Sequence, residues 1–441
     1  MKKILLKSIV AWLLILWTVP AEAQSDSSFD WVQYIDSQTE ELYEKVVEWR
    51  RHFHQYPELS NREFETAKVI EAHLRELGLE VQTGIAHTGV VGILEGGKPG
   101  PVVGLRADMD ALPVRERVDL PFASEVVAEY LGEEVPVMHA CGHDTHMAIQ
   151  MGVAEMLTNV KDEIPGTIKF IFQPAEEGTP PGEDGGAEMM VEEGVLKNPD
   201  VDVIFGLHIS SQSPVGHVAY RPGGIMAAAN RFSIEVKGAQ THGARPWGGV
   251  DPIVASAQII NNLQSIVSRQ TELTKEAAVI TVGIIRSGVR NNIIPEDAYM
   301  EGTIRTLDDE MQEKLFEQMH RTVKYTAKSF GAEATLTIYD GYPITYNDPD
   351  LTAMMAPTLE KIAGVENTHV INAITGAEDF SFFQREIPGL YFFIGGMPAD
   401  MDPADAAPHH TPDFYIEEEG MKTGLRAMAN LAIDYMLLQQ N

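Results

Sequence analysis

The chain has 441 residues, 44% of them hydrophobic, with 65 acidic against 33 basic side chains and a formal charge of −32. That length exceeds what one ordinary core organises and implies two domains, while the charge repels phosphate backbones and anionic lipid and so disfavours nucleic-acid and membrane partners. Most of the acids are expected to be solvated surface, and part of the excess suits carboxylates gathered around a cation, which neutralises them.

Residues 1–23 have the composition of a signal peptide: Lys2, Lys3 and Lys7 give a positive start, Ile9 to Val19 an apolar run, and Ala21-Glu22-Ala23 a small-residue cleavage site. The run is shorter than the roughly 20 residues that span a bilayer. With no cysteine beside the cleavage site for lipid attachment, the mature chain is expected to be exported, periplasmic or extracellular, and free of the membrane.

An amphipathic helical pattern runs from Trp31 to His54, carries on past Pro57 and resumes from Glu63 to Leu77 before Gly78. Compact Val/Ile-rich runs follow at Val90–Leu94, Val102–Arg106, Thr167–Gln173 and Val203–His208, with a helical segment at Met147–Thr158. Strands of this kind alternating with helices predict a mainly parallel sheet covered on both faces. Asp108 and Asp110, Glu176 and Glu177, and His208 then fall at strand ends, where open α/β sheets hold ligands.

From about Gly223 the order becomes strand (Arg231–Lys237), helix (Asp251–Arg269), strand (Ala278–Ile285), strand (Asp297–Ile304), helix (Asp308–Ser329), strand (Ala334–Tyr339). This is the ferredoxin-like pattern. The chain returns with Leu351–Ile362, a strand at Leu390–Ile394 and a closing helix at Gly420–Leu438. The predicted fold class is therefore α/β, a parallel-sheet domain in two parts (24–222 and 340–441) with an inserted α+β satellite (223–339).

The block His139-Ala140-Cys141-Gly142-His143-Asp144-Thr145-His146 crowds three imidazoles, a carboxylate and the only cysteine into eight residues. A lone cysteine makes no internal disulfide, so Cys141 is a buried small hydrophobe, a reactive thiol or a metal ligand. Thiolate and neutral imidazole are the donors a Zn²⁺-like cation takes, and Gly142 lets the backbone turn Cys141 and His143 toward one ion.

In Gln173-Pro174-Ala175-Glu176-Glu177-Gly178, adjacent carboxylates in an extended segment point opposite ways, so one can bind metal while the other faces substrate water; the bland alternative is an acidic turn. His208 is either a satisfied core histidine or a ligand, and Pro408-His409-His410-Thr411-Pro412 offers either another imidazole pair or a polar loop. His242, in Thr241-His242-Gly243-Ala244-Arg245-Pro246, is a donor to a developing oxyanion or a plain loop residue. Gly376 to Ser381 is a helix start or a wall of the substrate pocket.

Together, Arg106 to Pro113, His139 to His146, Gln173 to Gly178, Gly206 to His208, Thr241 to Pro246, Asn291 to Pro295, Gly376 to Phe380 and His410 to Phe414 resemble the aminoacylase and carboxypeptidase-type metal amidohydrolases. Within these, the resemblance is nearest to the hippurate hydrolase and auxin-conjugate hydrolase branch, and the motifs span nearly the whole mature chain in family order. The resemblance implies two divalent metal ions per subunit (Zn, Mn, Co or Ni), with Cys141, His143, Glu177, His208 and His410 as ligands and Glu176 as general base. His409 rivals His410, which is preferred because it directly precedes the Thr-Pro of the motif. The wider family often has a ligand histidine where this chain has Asp108, so Asp108 and Asp110 are expected to orient ligand imidazoles instead.

The resemblance further implies a homodimer formed through the satellite domain, with His242 polarising the scissile carbonyl in the partner's site, and substrate contacts from Asn292, Arg305 and Gly376. The expected activity is hydrolysis of N-acyl or N-aroyl amino acids such as hippurate-like conjugates by metal-activated water. The alternatives are a dipeptidase or carboxypeptidase on the same scaffold, or an inactive periplasmic metabolite-binding protein.

Overall fold

The Val/Ile-rich runs assemble into one eight-stranded sheet in the order Glu80–Ile85, Gly89–Glu95, Pro165–Gln173, Lys98–Asp108, Val203–Pro214, Gly389–Met397, Val218–Tyr220, Thr368–Val370. This is a computed structural model that describes residues 29–440, so the signal-peptide reading lies outside the described residues. The four central strands run parallel, from Pro165–Gln173 across to Gly389–Met397. Their continuous apolar sequences fit burial on both faces: all of Pro165–Gln173 except Thr167 is buried, Phe170 and Phe172 fully. Removing such a side chain from water contributes about 1.5–3 kcal/mol.

Helices Trp31–Gln55, His143–Thr158 and Gly420–Leu438 pack together over one face. The His143–Thr158 helix is buried almost all round, which explains why its sequence lacks a polar stripe. It opens inside the motif block, because Gly142 takes φ 98°, a left-handed conformation that breaks the preceding extended run. A Cβ at Gly142 would stand 2.5 Å from Ile209 Cγ2.

A second, four-stranded antiparallel sheet has the order Ala278–Ser287, Asp297–Thr306, Ala228–Lys237, Glu333–Tyr342, with helices Pro252–Gln270 and Asp309–Ser329 on one face. It has its own core, including Phe232, Ile234, Leu263, Met300, Leu315 and Met319. Asp251 and Asp308 cap the two helices by accepting backbone N–H bonds. The ferredoxin-like expectation therefore holds. Short strands Gly223–Met226 and Thr345–Asn347 pair at the two chain crossings into this unit.

Two local expectations fail. Residues past Pro57 do not continue the helix: Leu59 bridges to Ala111, and the Glu58 carboxylate accepts from the N–H groups of Glu65 and Thr66, starting the next helix at Phe64. Nor does His208 end its strand, which runs on to Pro214 because pairing with Gly389–Met397 continues, His208 opposite Phe393.

Candidate metal centre

The ends of two parallel strands, the middle of a third and the start of the buried helix meet at one place. Cys141 Sγ lies 3.3 Å from His208 Nε2 and 3.2 Å from His410 Nε2, which is itself 3.0 Å from Glu177 Oε1. Donor atoms of Cys141, His143 and Glu177 all lie within 4.8 Å of one another. The five residues singled out as ligands thus converge, although 269 positions separate Cys141 from His410.

Hydrogen bonds fix which imidazole nitrogen is free. His143 donates from Nδ1 to Asp110 O at 2.8 Å and His208 from Nδ1 to Ile209 O at 2.6 Å, so the nitrogen that each can offer an ion is Nε2. His143 Nε2 is buried with no hydrogen-bond partner. A buried ring nitrogen without a partner is costly, and a cation is what the surrounding S, N and O donors suit.

The rival imidazole is spoken for. His409 donates from Nδ1 to Cys141 O at 3.1 Å and accepts at Nε2 from Ser211 N–H at 3.2 Å, so neither nitrogen is available. His146 is likewise used up, between Asp108 Oδ1 at 2.6 Å and the Ile209 N–H at 2.9 Å.

Asp110 braces the other arm. Its carboxylate accepts from the successive N–H groups of Glu176 and Glu177, each at 3.0 Å, and from Ser60 Oγ at 2.7 Å. Burial opposes its charge, but His143 and these donors outweigh that and hold it below the usual carboxylate range. Glu63, fully buried, accepts from the Ala175 N–H at 3.0 Å and Thr88 Oγ1 at 2.6 Å. Two buried acids therefore hold three consecutive amides, and Ala175 between them takes φ 55°. Sequence reasoning missed Glu63 and Ser60, which sit in the polar run Ser60-Asn61-Arg62-Glu63 and carry no local signal of their role.

It also missed the group that joins the two sides of the sheet edge. Arg106, buried, donates to Gln173 Oε1 at 2.7 Å, Asp108 Oδ2 at 2.6 Å, Glu378 Oε1 at 2.8 Å and Asp379 Oδ1 at 3.0 Å. Tyr391 closes the network by donating to Glu378. Asp108, which orients His146, is held well below its usual range because His143 and Arg106 outweigh burial.

The electrostatics around the cluster are those of uncompensated donors. Burial, then Glu177 and Glu176, push the Cys141 thiol well up; burial, then Glu378 and Glu177, do the same to Glu176. Burial opposes a charge on His143, yet Asp108 and Asp110 raise it to about 10. Protons stand here where a divalent cation would compete for the same lone pairs. Glu176 Oε2 lies 3.8 Å from His143 Nε2, beside the donors rather than among them.

Cys141, Glu176, Glu177, His208 and His410 border a cavity of about 580 Å³, whose lining also includes apolar Met226, Ile371, Ile374 and Phe393, polar Ser210, Gln212, Ser213 and Glu378, and Gly376 and Tyr342. His242, Asn292 and Arg305 are not on it. His242 is exposed, pairs with Ile293 and accepts the Ala244 N–H at 3.0 Å; Asn292 O accepts the Gly243 N–H at 2.7 Å beside it. Arg305 lies on the face of the four-stranded sheet opposite its helices, donating to Thr303 and Ile304 O.

The model of peptidase family M20/M25/M40 matches residues 104–434. The chain belongs to this family. It is 42% identical over 408 residues to thermostable carboxypeptidase 1 of Saccharolobus solfataricus, covering 92% of this chain and 99% of that one. It is 35% identical over 401 residues to IAA-amino acid hydrolase ILR1-like 4 of Arabidopsis thaliana, covering 90% and 87%. The crystal structure of the Bacillus subtilis YXEP protein, described as a dinuclear metal binding peptidase from the M20 family, superposes with a TM-score of 0.76 at 33% identity, covering 90% of this chain and 99% of that one. As an M20-family member the chain is a metal-dependent hydrolase of amide or peptide bonds, in the branch that the motifs indicated.

Proposed function

We propose that this M20 hydrolase cleaves the amide bond of N-acyl or N-aroyl amino acids, with two divalent ions held by Cys141, His143, Glu177, His208 and His410. The observation that carries the reading is the cavity itself, which sets a carboxylate outside the donor cluster, Glu176, against an apolar wall of Met226, Ile371, Ile374 and Phe393. A wall of that kind takes an acyl chain or ring.

When bound, the ions lower the pKa of water from ~15.7 toward about 7 and polarise the carbonyl. Glu176 takes the proton from the attacking water and returns it to the leaving amine nitrogen. Asp110 and Glu63 keep that carboxylate in place by fixing the backbone at 175–177. His242, next to Asn292, donates to the carbonyl oxygen as negative charge develops there. Because both are exposed and off the cavity wall of their own chain, they act in the site of the partner in a homodimer, with the satellite at 223–339 as the dimerisation unit. Arg305 is the candidate for the product carboxylate. The composition of residues 1–23 supports export, and no helix among the described residues is long and apolar enough to cross a membrane.

A second reading, cleavage of free peptides, is favoured by the 42% identity to a protein named as a carboxypeptidase. Metal-replete protein assayed for amine release against hippurate-like conjugates, acetylated amino acids and free-amine dipeptides decides between them. Conjugates with apolar acyl groups are expected to turn over fastest; dipeptides hydrolysed at a higher kcat/KM would replace this proposal with the second reading.

A further inference from the structure

Away from the Cys141 cluster, His217 Nδ1 and His369 Nε2 face each other at 3.0 Å, with ring planes 28° apart. His217 directly precedes one of the last two strands of the large sheet and His369 lies in the other. His369 belongs to Thr368–Val370, which pairs in parallel with Val218–Tyr220 directly after His217. His369 is exposed and His217 half-buried. Burial, then His369, lowers the pKa of His217, and no carboxylate contributes to that shift. The His217 ring is thus favoured in the neutral form, the form that binds metal.

Two imidazole nitrogens at 2.0–2.1 Å from one ion stand about 2.9 Å apart at a right angle and about 3.4 Å apart at the tetrahedral angle, from the metal–nitrogen distance alone. The observed separation lies in that interval. As a simple hydrogen-bonded pair, one ring gives up its lone pair to the other's N–H; with an ion between them, both lone pairs are used.

We propose that His217 and His369 form a separate site for a late transition-metal ion of the Cu²⁺, Ni²⁺ or Zn²⁺ class, completed by water. The ion ties the three-residue edge strand Thr368–Val370 to its neighbour. That strand needs a tie, since it is short and paired on one side only. Ala219 and Ile371, each two residues from one of these histidines, are on the wall of the large cavity, so the ion also stiffens the outer end of that wall.

The test uses untagged full-length protein and Cu²⁺, which heads the affinity order for nitrogen sites. After equilibrium dialysis, wild type is expected to retain one more Cu²⁺ per chain than His217→Ala, His369→Ala or the near-isosteric His369→Gln, all of which keep the Cys141 cluster. The extra ion is expected to give an electron-paramagnetic-resonance signal with nitrogen hyperfine coupling that is absent from the variants, and binding at this site at least tenfold weaker in each. Circular dichroism establishes that the variants are folded. Equal copper retention and identical spectra in wild type and the folded variants would overturn the proposal.

Discussion

The cluster around Cys141 and the loop around His242 differ in how much of their geometry the single chain supplies. Around Cys141 nearly every polar atom has a partner buried with it: Asp110 holds Glu176, Glu177 and His143, Arg106 holds Asp108, Glu378 and Asp379, and Glu63 holds Ala175. The His242 ring accepts one local backbone N–H, that of Ala244, and the residue is exposed. Preorganised donors are what transition-state stabilisation requires, so the contrast teaches that the groups around Glu176 are held in place within one chain, while no group of that chain holds the exposed His242 ring against a pocket.

Four substitutions break or sharpen that contrast. The largest effect is expected from Glu176→Gln, which removes the proton acceptor and keeps the shape; kcat should fall ~10²–10⁴-fold while metal content by elemental analysis stays at the wild-type level. Loss of metal along with activity would move Glu176 into the ligand set. Next, His242→Ala should cost ~10²–10³-fold in kcat, as loss of an oxyanion donor does. Mixing it with Glu176→Gln protein under conditions that exchange subunits should recover activity, since hybrid dimers then contain one intact composite site; no recovery in verified hybrids would place His242 in the site of its own chain.

Asp110→Asn leaves the shape but presents an amide N–H₂ to donors it formerly accepted. Metal affinity or activity should fall about 10–100-fold, the usual cost of disturbing a group that orients ligands, measured by competition with a chelator and by initial rates. The smallest effect is expected at Glu63, one bond further out. Glu63→Ala should lower kcat about tenfold, at the low end of that range, with KM nearly unchanged. Glu63→Gln should restore most of the rate, because its amide oxygen can still accept the Ala175 N–H while its N–H₂ donates to Thr88 Oγ1. Failure of Gln to rescue would mean that the negative charge, and not the bond, is what matters.

Much of this was legible in the sequence, and for identifiable reasons. Strands such as Pro165–Gln173 declare themselves by unbroken apolar runs, and Cys141-Gly142-His143 by the scarcity of cysteine. The Glu176–Glu177 pair and His410 were legible through motif order. What was hidden depends on pairings between distant segments. No local pattern tells that Glu63 meets Ala175 across 112 positions, or that Arg106 reaches Glu378 across 272. The preference for His410 over His409 rested on motif position alone, and its physical reason appears only when the Ser211 N–H and Cys141 O are seen to occupy both nitrogens of His409. The end of the His208 strand was misplaced for the same reason, because the neighbour that extends it lies about 180 residues later in the chain.

The loop that carries His410 is tied by its own N–H to Ala140 O at 2.8 Å, so the last donor reaches the cluster only when a segment near the carboxyl end docks against one made much earlier. A ribosome-bound chain halted before Pro408 therefore holds four of the five donors and cannot close the fifth corner. Closure of the five-residue cluster is therefore coupled to the docking of the carboxyl-terminal segment, so a lesion anywhere along that late segment reaches the cluster through the His410–Ala140 bond.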